Sequence, residues 1–174
     1  ILTRHEQAAT HMADGFSRAS GLPGIILCTS GPAATNTVTG ISTAYADSVP
    51  VLIFTGQVPT PFLGSDAFQE ADHIGITRTC TKHNTLVRKT IDLPKAIAEA
   101  LYISNTGRKG PVLVDMPKDV LIGESVFNFP KNVKISSYED SVNLKSTEYK
   151  NFMNAFKNSK IIMMSNKDAI KTKI

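Results

Sequence analysis

The sequence predicts an α/β protein: a parallel sheet flanked by helices, followed by a linker and the start of a second α/β domain. Three observations carry this. Three short apolar runs, 24–29, 51–55 and 112–115, each follow a proline (Pro23, Pro50, Pro111). None alternates strictly with polar residues, as expected of strands covered on both faces. Stretches of helical character lie between them, and strands alternating with helices make βαβ units and a parallel sheet.

The elements follow in chain order. Residues 6–20 are rich in Ala and Met and stop at Gly21-Leu22-Pro23, a helix with a stop signal. Gly24-Ile25-Ile26-Leu27-Cys28-Thr29 is the first strand. One helix is expected over 33–47, with Val38, Ile41, Ala44 and Tyr45 at helical spacing. Val51-Leu52-Ile53-Phe54-Thr55 is the second strand. Residues 93–104 place Ile97, Ala100, Leu101 and Ile103 on a helix that Gly107 ends, and Val112-Leu113-Val114-Asp115 is the third strand. From Pro117 to about Lys145 the rhythm is lost, which reads as a linker. Tyr149, Phe152, Met153 and Phe156 then mark an amphipathic helix, and 160–164 a possible strand. The expected organisation is a first domain over 1–120 without its extreme N-terminus, a linker over 121–147, and an incomplete second domain over 148–174. The first domain lacks its own first strand unless Ile1-Leu2-Thr3-Arg4 is its end.

Composition excludes more than it assigns. The 174 residues are 41% hydrophobic and 20% charged, ordinary for a globular chain and unlike collagen, disordered or disulfide-scaffold classes. No apolar run approaches the roughly 20 residues that span a bilayer, so no membrane role is expected. The net charge of +4 lies in the tail, because residues 1–130 carry ten basic and eleven acidic side chains. A Lys-rich solvated tail is a better reading than a nucleic-acid surface, which clusters Arg and Lys with aromatics. The two cysteines, Cys28 and Cys80, have no metal-ligand spacing, and no His pair suggests a metal site. The chain opens at Ile1 inside an apolar run rather than with Met, which reads as a fragment.

Three segments at strand ends can carry chemistry, because ligands of open α/β sheets gather at the carboxyl ends of strands. Arg4-His5-Glu6-Gln7-Ala8-Ala9 places Glu6 at a helix start. Burial there would raise its pKa and let it hold or hand over a proton near neutral pH. Alone, it equally fits an ordinary first-turn Glu favoured by the helix dipole. Thr29-Ser30-Gly31-Pro32-Ala33-Ala34-Thr35-Asn36 is a strand, a tight turn and a helix start, with Gly31 suited to positive φ and Pro32 to the first helical turn. It matches neither phosphate-binding fingerprint, and a structural turn explains it as well. Thr55-Gly56-Gln57-Val58-Pro59 leads to Gly64-Ser65-Asp66-Ala67-Phe68-Gln69-Glu70, where Phe68 suits a ligand wall, a subunit interface or a local anchor.

Together these segments resemble the pyrimidine-binding domain of the acetolactate synthase family of thiamine-diphosphate (ThDP) enzymes. The likeness runs from Arg4 to about Asp119 through the three segments above. It adds Ala13-Asp14-Gly15-Phe16-Ser17-Arg18, Asp47-Ser48-Val49-Pro50 and Thr81-Lys82-His83-Asn84. It closes with Thr106-Gly107-Arg108-Lys109-Gly110-Pro111 and Pro117-Lys118-Asp119. The Glu and Ser-Gly-Pro segments occur across ThDP enzymes; Asp-Ala-Phe-Gln-Glu and Thr-Lys-His-Asn are much narrower.

The resemblance implies a transferase of branched-chain amino-acid biosynthesis that decarboxylates pyruvate and joins the two-carbon unit to pyruvate or 2-oxobutyrate. It implies ThDP, FAD and Mg²⁺, the last bound by a C-terminal domain that residues 1–174 do not contain, so this fragment alone is expected to be inactive. By resemblance Glu6 is the catalytic residue, hydrogen-bonding the aminopyrimidine as a proton relay. Pro32, Asn36 and Gln69 line the ThDP side, and Ser48 and Arg108 touch FAD. Pro59, Ala67, Phe68, Lys82 and Lys118 line the substrate channel. A homodimer or homotetramer with sites at the subunit interface is implied, with a possible small regulatory subunit, in the cytoplasm or in a plastid. One departure stands out: the family usually has Gly where this chain has Ala33. The alternatives are a non-catalytic shortened module that binds a partner subunit, and another ThDP carboligase or decarboxylase.

Overall fold

The computed structural model describes residues 1–130, 132–135, 138 and 147–158. The chain divides into two units, Ile1–Asp140 and Ser141–Ile174. In the first unit, helix α1 (Glu6–Ser20) leads to β1 (Gly24–Cys28), then α2 (Pro32–Thr35), α3 (Val38–Ala46) and β2 (Val51–Gln57). These are followed by α4 (His73–Thr77), β3 (His83–Leu86), α5 (Leu93–Asn105), β4 (Val112–Pro117) and α6 (Lys118–Ile122). The strands form one parallel sheet in the order β1-β2-β4-β3. In the second unit the described element is α7 (Thr147–Asn158), on which Tyr149, Phe152, Met153 and Phe156 recur at helical spacing. The strand expected over 160–164 lies outside the described residues.

The two-sided burial expected of all three apolar runs holds for β2 and β4 but not for β1, where Ile26 is buried and Ile25 and Leu27 are exposed. In β2 and β4, Val51, Ile53 and Leu113 pack with Ala13, Ile41 and Ala44 on one face. Leu52, Val112 and Val114 pack with Ala100 and Ile103 on the other. Every one of those strand residues is fully buried, so both faces must be apolar. Helix α1 crosses α3 closely enough that a Cβ on Gly40 would meet the Thr10 side chain at 2.6 Å. That approach fixes α1, and with it the position of Glu6.

Several details differ from the sequence expectation. The helix expected over 33–47 is two helices, broken at Asn36-Thr37. The Thr37 hydroxyl donates to the Ala34 carbonyl at 2.6 Å, a local bond that competes with the helical ladder. Strand β3 went unpredicted because it is short, half-exposed and polar, with no apolar run to mark it. Helix α4 has a single turn, started by the Asp72 carboxylate accepting the Gly75 N–H at 2.8 Å. Ile1 to Thr3 form no strand. The segment expected as a linker begins with α6, and Ile135 packs against the second core cluster.

Candidate active site

The carboxyl ends of β1, β2 and β4 bring the predicted segments together. His5 caps α1, its Nδ1 accepting the Gln7 N–H at 3.1 Å. Glu6 is therefore the first helical residue, half-buried, and its Oε2 accepts a hydrogen bond from Asn36 Nδ2 at 3.0 Å. Among the described residues this is the only side-chain hydrogen bond to Glu6. The break between α2 and α3 leaves Asn36 at the end of a single helical turn, opposite α1, and Pro32 opens that turn with its ring exposed.

The expectation that burial raises the Glu6 pKa is corrected. The Asn36 hydrogen bond, helped by a backbone N–H and by His5, outweighs the partial desolvation and holds the carboxyl below its ordinary value of 4.5. Glu6 is thus ionised at neutral pH, an acceptor ready for a donor.

The turn before α2 is fixed by close backbone packing. Gly31 has φ +63°, and a Cβ there would lie 2.5 Å from the Gln69 carbonyl oxygen. Only glycine fits both constraints. This contact seats the 63–70 loop beside the turn and delivers Gln69, whose own φ is +59°. The Glu70 carboxylate closes the loop by accepting N–H groups of Gly64 and Ala67, which holds its pKa low. Phe68 is 89% exposed, so of its three readings the local anchor is excluded. Ala33 lies inside α2, buried and without positive φ. Its methyl is absorbed by protein rather than strained.

Pro59 and Lys118 follow β2 and β4 at the same end of the sheet. Gln57 pairs with Pro117 in the sheet register. The Asp119 carboxylate then accepts both the N–H and the hydroxyl of Thr60, at 3.0 and 2.5 Å, which keeps its pKa below 3.8. Glu6, Glu70 and Asp119 all have folded-state values below their ordinary ones. The unfolded chain therefore binds more protons in that range, and stability is present above it and lost as pH falls through it. The contribution of these three carboxylates to the urea midpoint is expected to hold from neutral pH down to about pH 5 and to decline below about pH 4.5.

Three predicted residues lie at the opposite, amino-terminal end of the sheet. Arg108 donates through Nε to Ser48 Oγ at 2.9 Å and through Nη2 to the Tyr45 carbonyl at 3.0 Å. Its guanidinium stacks over the Tyr45 ring, 5.4 Å from the centroid. Ser48 and Arg108 are thus together but remote from Glu6. Lys82 precedes β3, and its ammonium donates to the carbonyls of Ile103 and Thr106 and to the Tyr138 hydroxyl. It caps the C-terminal end of α5, where the helix dipole favours a cation. The structure does not bring it to the carboxyl end of the sheet with Pro59, Ala67, Phe68 and Lys118.

Behind the Gly31 turn lies a buried polar cluster that went unrecognised in the sequence. Asp115 on β4 accepts from the Thr55 hydroxyl at 2.7 Å and from Gln57 Nε2 at 3.1 Å, and it contacts His73 Nδ1 at 2.9 Å. The available signal was a Gln and an Asp inside strands that are otherwise apolar. Cys28, near Glu6 and Asp115, is pushed up to about 12, first by burial and then by those two carboxylates. Its thiol stays protonated, and alkylation of the native chain with iodoacetamide at pH 8 is expected to be far slower than in urea. Fast labelling of the native chain would contradict that environment. Among the described residues no group of three or more His, Cys, Asp or Glu is placed to hold a metal, and no helix is long and apolar enough to cross a membrane.

Residues 1–76 match the family model of the thiamine pyrophosphate enzyme, N-terminal TPP binding domain. Over 140 residues the chain is 54% identical to the acetolactate synthase large subunit of Buchnera aphidicola subsp. Schizaphis graminum, covering 79% of this chain and 24% of that one. It is 50% identical, with the same coverage, to the acetolactate synthase isozyme 3 large subunit of Escherichia coli. With the mitochondrial acetolactate synthase catalytic subunit of Saccharomyces cerevisiae it shares 58% identity over 120 residues, 69% of this chain and 18% of that one. The chain spans about a quarter of the length of the bacterial relatives it matches. A parallel sheet with helices on both faces, the matched TPP-binding domain and identities of 50–58% agree, and the chain belongs to the thiamine pyrophosphate enzyme family, in its acetolactate synthase large-subunit branch.

Proposed function

We propose that this chain is the pyrimidine-binding part of an acetolactate synthase, with Glu6 as its catalytic residue. The observation that carries the reading is the ionised Glu6 carboxylate, paired with Asn36 where α1 and the Gly31 turn converge. The donor set fits an aminopyrimidine ring: a carboxylate to accept from a ring N–H, an exposed Pro32 ring to lie against a flat face, and the Gln69 loop alongside. ThDP, when bound, supplies the electron sink for carbon–carbon bond cleavage and formation. Glu6 Oε1 or Oε2 takes and returns the proton of the ring nitrogen, while Asn36 orients the carboxylate and keeps it deprotonated between turnovers.

Pro59, Ala67, Phe68 and Lys118 form the rim over which pyruvate and the second 2-oxo acid, pyruvate or 2-oxobutyrate, approach. The Lys118 ammonium suits their carboxylates. Lys82 keeps its place in this proposal only at the far end of the sheet. Ser48 and Arg108 hold FAD there, the guanidinium forking onto oxygens or stacking on a flat ring as it does on Tyr45. The active enzyme is a homo-oligomer in the cytoplasm, with sites at the subunit interface, a possible small regulatory subunit, and Mg²⁺ held by a part of the protein outside this chain. The domain limits near 120 and 147 belong to the same proposal.

The test is to express the full product of the gene that encodes this chain and to supply pyruvate, ThDP and Mg²⁺. Acetolactate is the expected product. A stable holoenzyme that decarboxylates pyruvate to acetaldehyde alone would move the reading to another ThDP decarboxylase.

A further inference from the structure

The buried cluster behind the Gly31 turn contains one imidazole that the proposed chemistry does not use. His73 is 2% exposed and Asp115 1% exposed, and their hydrogen bonds fix the imidazole's protons. The Gly31 N–H points at His73 Nε2, 3.2 Å away. An amide N–H can only donate, so Nε2 carries a lone pair. Nδ1 lies 2.9 Å from Asp115 Oδ1, an oxygen that already receives the Thr55 hydroxyl, so Nδ1 carries the proton.

Gln57 closes the accounting. Its Oε1 accepts the Val58 N–H at 2.9 Å, which sets the orientation of the amide. Its two amide hydrogens go to the Ala71 carbonyl at 2.8 Å and to Asp115 Oδ2 at 3.1 Å. None is left for Nδ1, 3.3 Å away, which agrees with a protonated Nδ1.

We propose that His73 is a positioning residue: a neutral imidazole, protonated on Nδ1, that ties Asp115 of β4 to the Gly31 amide and so fixes the turn from which Pro32 and Asn36 reach Glu6. Gly31 is the N-cap of α2, and no side chain caps that helix. Its N–H is held by His73 rather than by a helical carbonyl. Loss of the imidazole frees the turn at the point where Gln69 also rests on it. The link to catalysis rests on the reading of Glu6 and Asn36 given above; the tautomer and the tether do not.

Two variants and two kinds of measurement test this. His73→Gln keeps one donor and one acceptor, whereas His73→Leu keeps neither. In the chain labelled with ¹⁵N-histidine, two-bond ¹H–¹⁵N correlations are expected to show His73 Nε2 unprotonated and Nδ1 protonated. Exchange of the Gly31 amide should accelerate in His73→Leu and remain near wild type in His73→Gln. In the full gene product with ThDP and Mg²⁺, His73→Leu should lower kcat by about 10- to 100-fold, the scale of a misplaced reacting group. KM for pyruvate should be little changed, and His73→Gln should recover most of the loss.

The reverse tautomer, an imidazolium, or unchanged Gly31 exchange in His73→Leu would overturn the tether. A normal kcat in His73→Leu overturns the positioning role even if the tether is present. If His73→Leu does not fold, a His73→Gln enzyme as slow as Glu6→Gln overturns it, and near-normal turnover with the predicted tautomer supports it. A Glu6→Gln enzyme with full activity would instead sink the reading of Glu6, and that result is independent of the His73 spectra.

Discussion

Replacement of Glu6 by Gln in the full gene product is expected to lower kcat by about 10²- to 10⁴-fold, the range associated with a positioned proton-transfer group. The change keeps the shape and the hydrogen bond to Asn36, since an amide oxygen still accepts from Nδ2. It removes the negative charge and the ability to take a proton. Stability should fall only modestly above about pH 5, where the charged form of the bonds to Asn36 and to the Glu6 backbone is lost, and the two proteins should converge as pH falls and wild-type Glu6 itself becomes protonated. Steady-state kinetics with pyruvate, set beside the thermal unfolding of both proteins, separates a lost proton carrier from a damaged fold. A comparable fall in unfolding temperature would mean that Glu6 is chiefly structural.

The second large effect is on the turn. Gly31→Ala places a Cβ at φ +63°, with the Gln69 backbone 2.5 to 2.9 Å away. With ψ at −124° the residue lies outside the left-handed helical region, in backbone that costs an L-residue about 1–3 kcal/mol, and overlap with backbone that cannot rotate aside adds about 1–3 kcal/mol. Gly21→Ala is the internal control. Gly21 caps α1 at φ +75°, and a Cβ there would meet nothing within 4 Å. With ψ at 0° it carries only the left-handed cost, roughly 1–2 kcal/mol, and meets no neighbour. Urea unfolding of both variants should therefore show Gly31→Ala as the more destabilised, the excess combining its ψ of −124° with the contact that seats the Gln69 loop. Equal losses would mean that neither the ψ of −124° nor the Gln69 contact adds a cost, and that the 63–70 segment is not held against the turn.

The fold was legible where a continuous apolar run marks a strand, covered on two faces in β2 and β4 and on one in β1, and illegible where no such run exists. Val51–Phe54 and Val112–Val114 announce themselves because they are covered by α1 and α3 on one side and α5 on the other. His83–Leu86 is an edge strand next to β4 and carries no such run. The split of the helix after Thr35 was hidden because Ala, Thr and Asn at 34–37 fit a helix by spacing. The break depends on hydroxyl bonds that spacing does not encode. At the site, residue identity led to Glu6, Asn36, Pro32 and Gln69, and the fold gathers them at one end of the sheet. Identity also led to Lys82, which the fold places at the other end. A residue's place in a motif says nothing of which end of its strand it occupies. The sign of the Glu6 shift was misjudged for a related reason: the sequence suggested burial, whereas the Asn36 amide decides it. His73 was passed over because its partners, Gly31 and Asp115, are each 42 residues away.

The most direct measurement is the rate at which the thiazolium C2 proton of ThDP exchanges with deuterium on the full gene product, wild type against Glu6→Gln. Exchange on the variant slower by about the same factor as kcat, on the order of 10² or more, is the predicted result. Equal exchange rates on the two proteins, with cofactor bound to both, would contradict the assignment of Glu6 as the residue that moves the cofactor's proton.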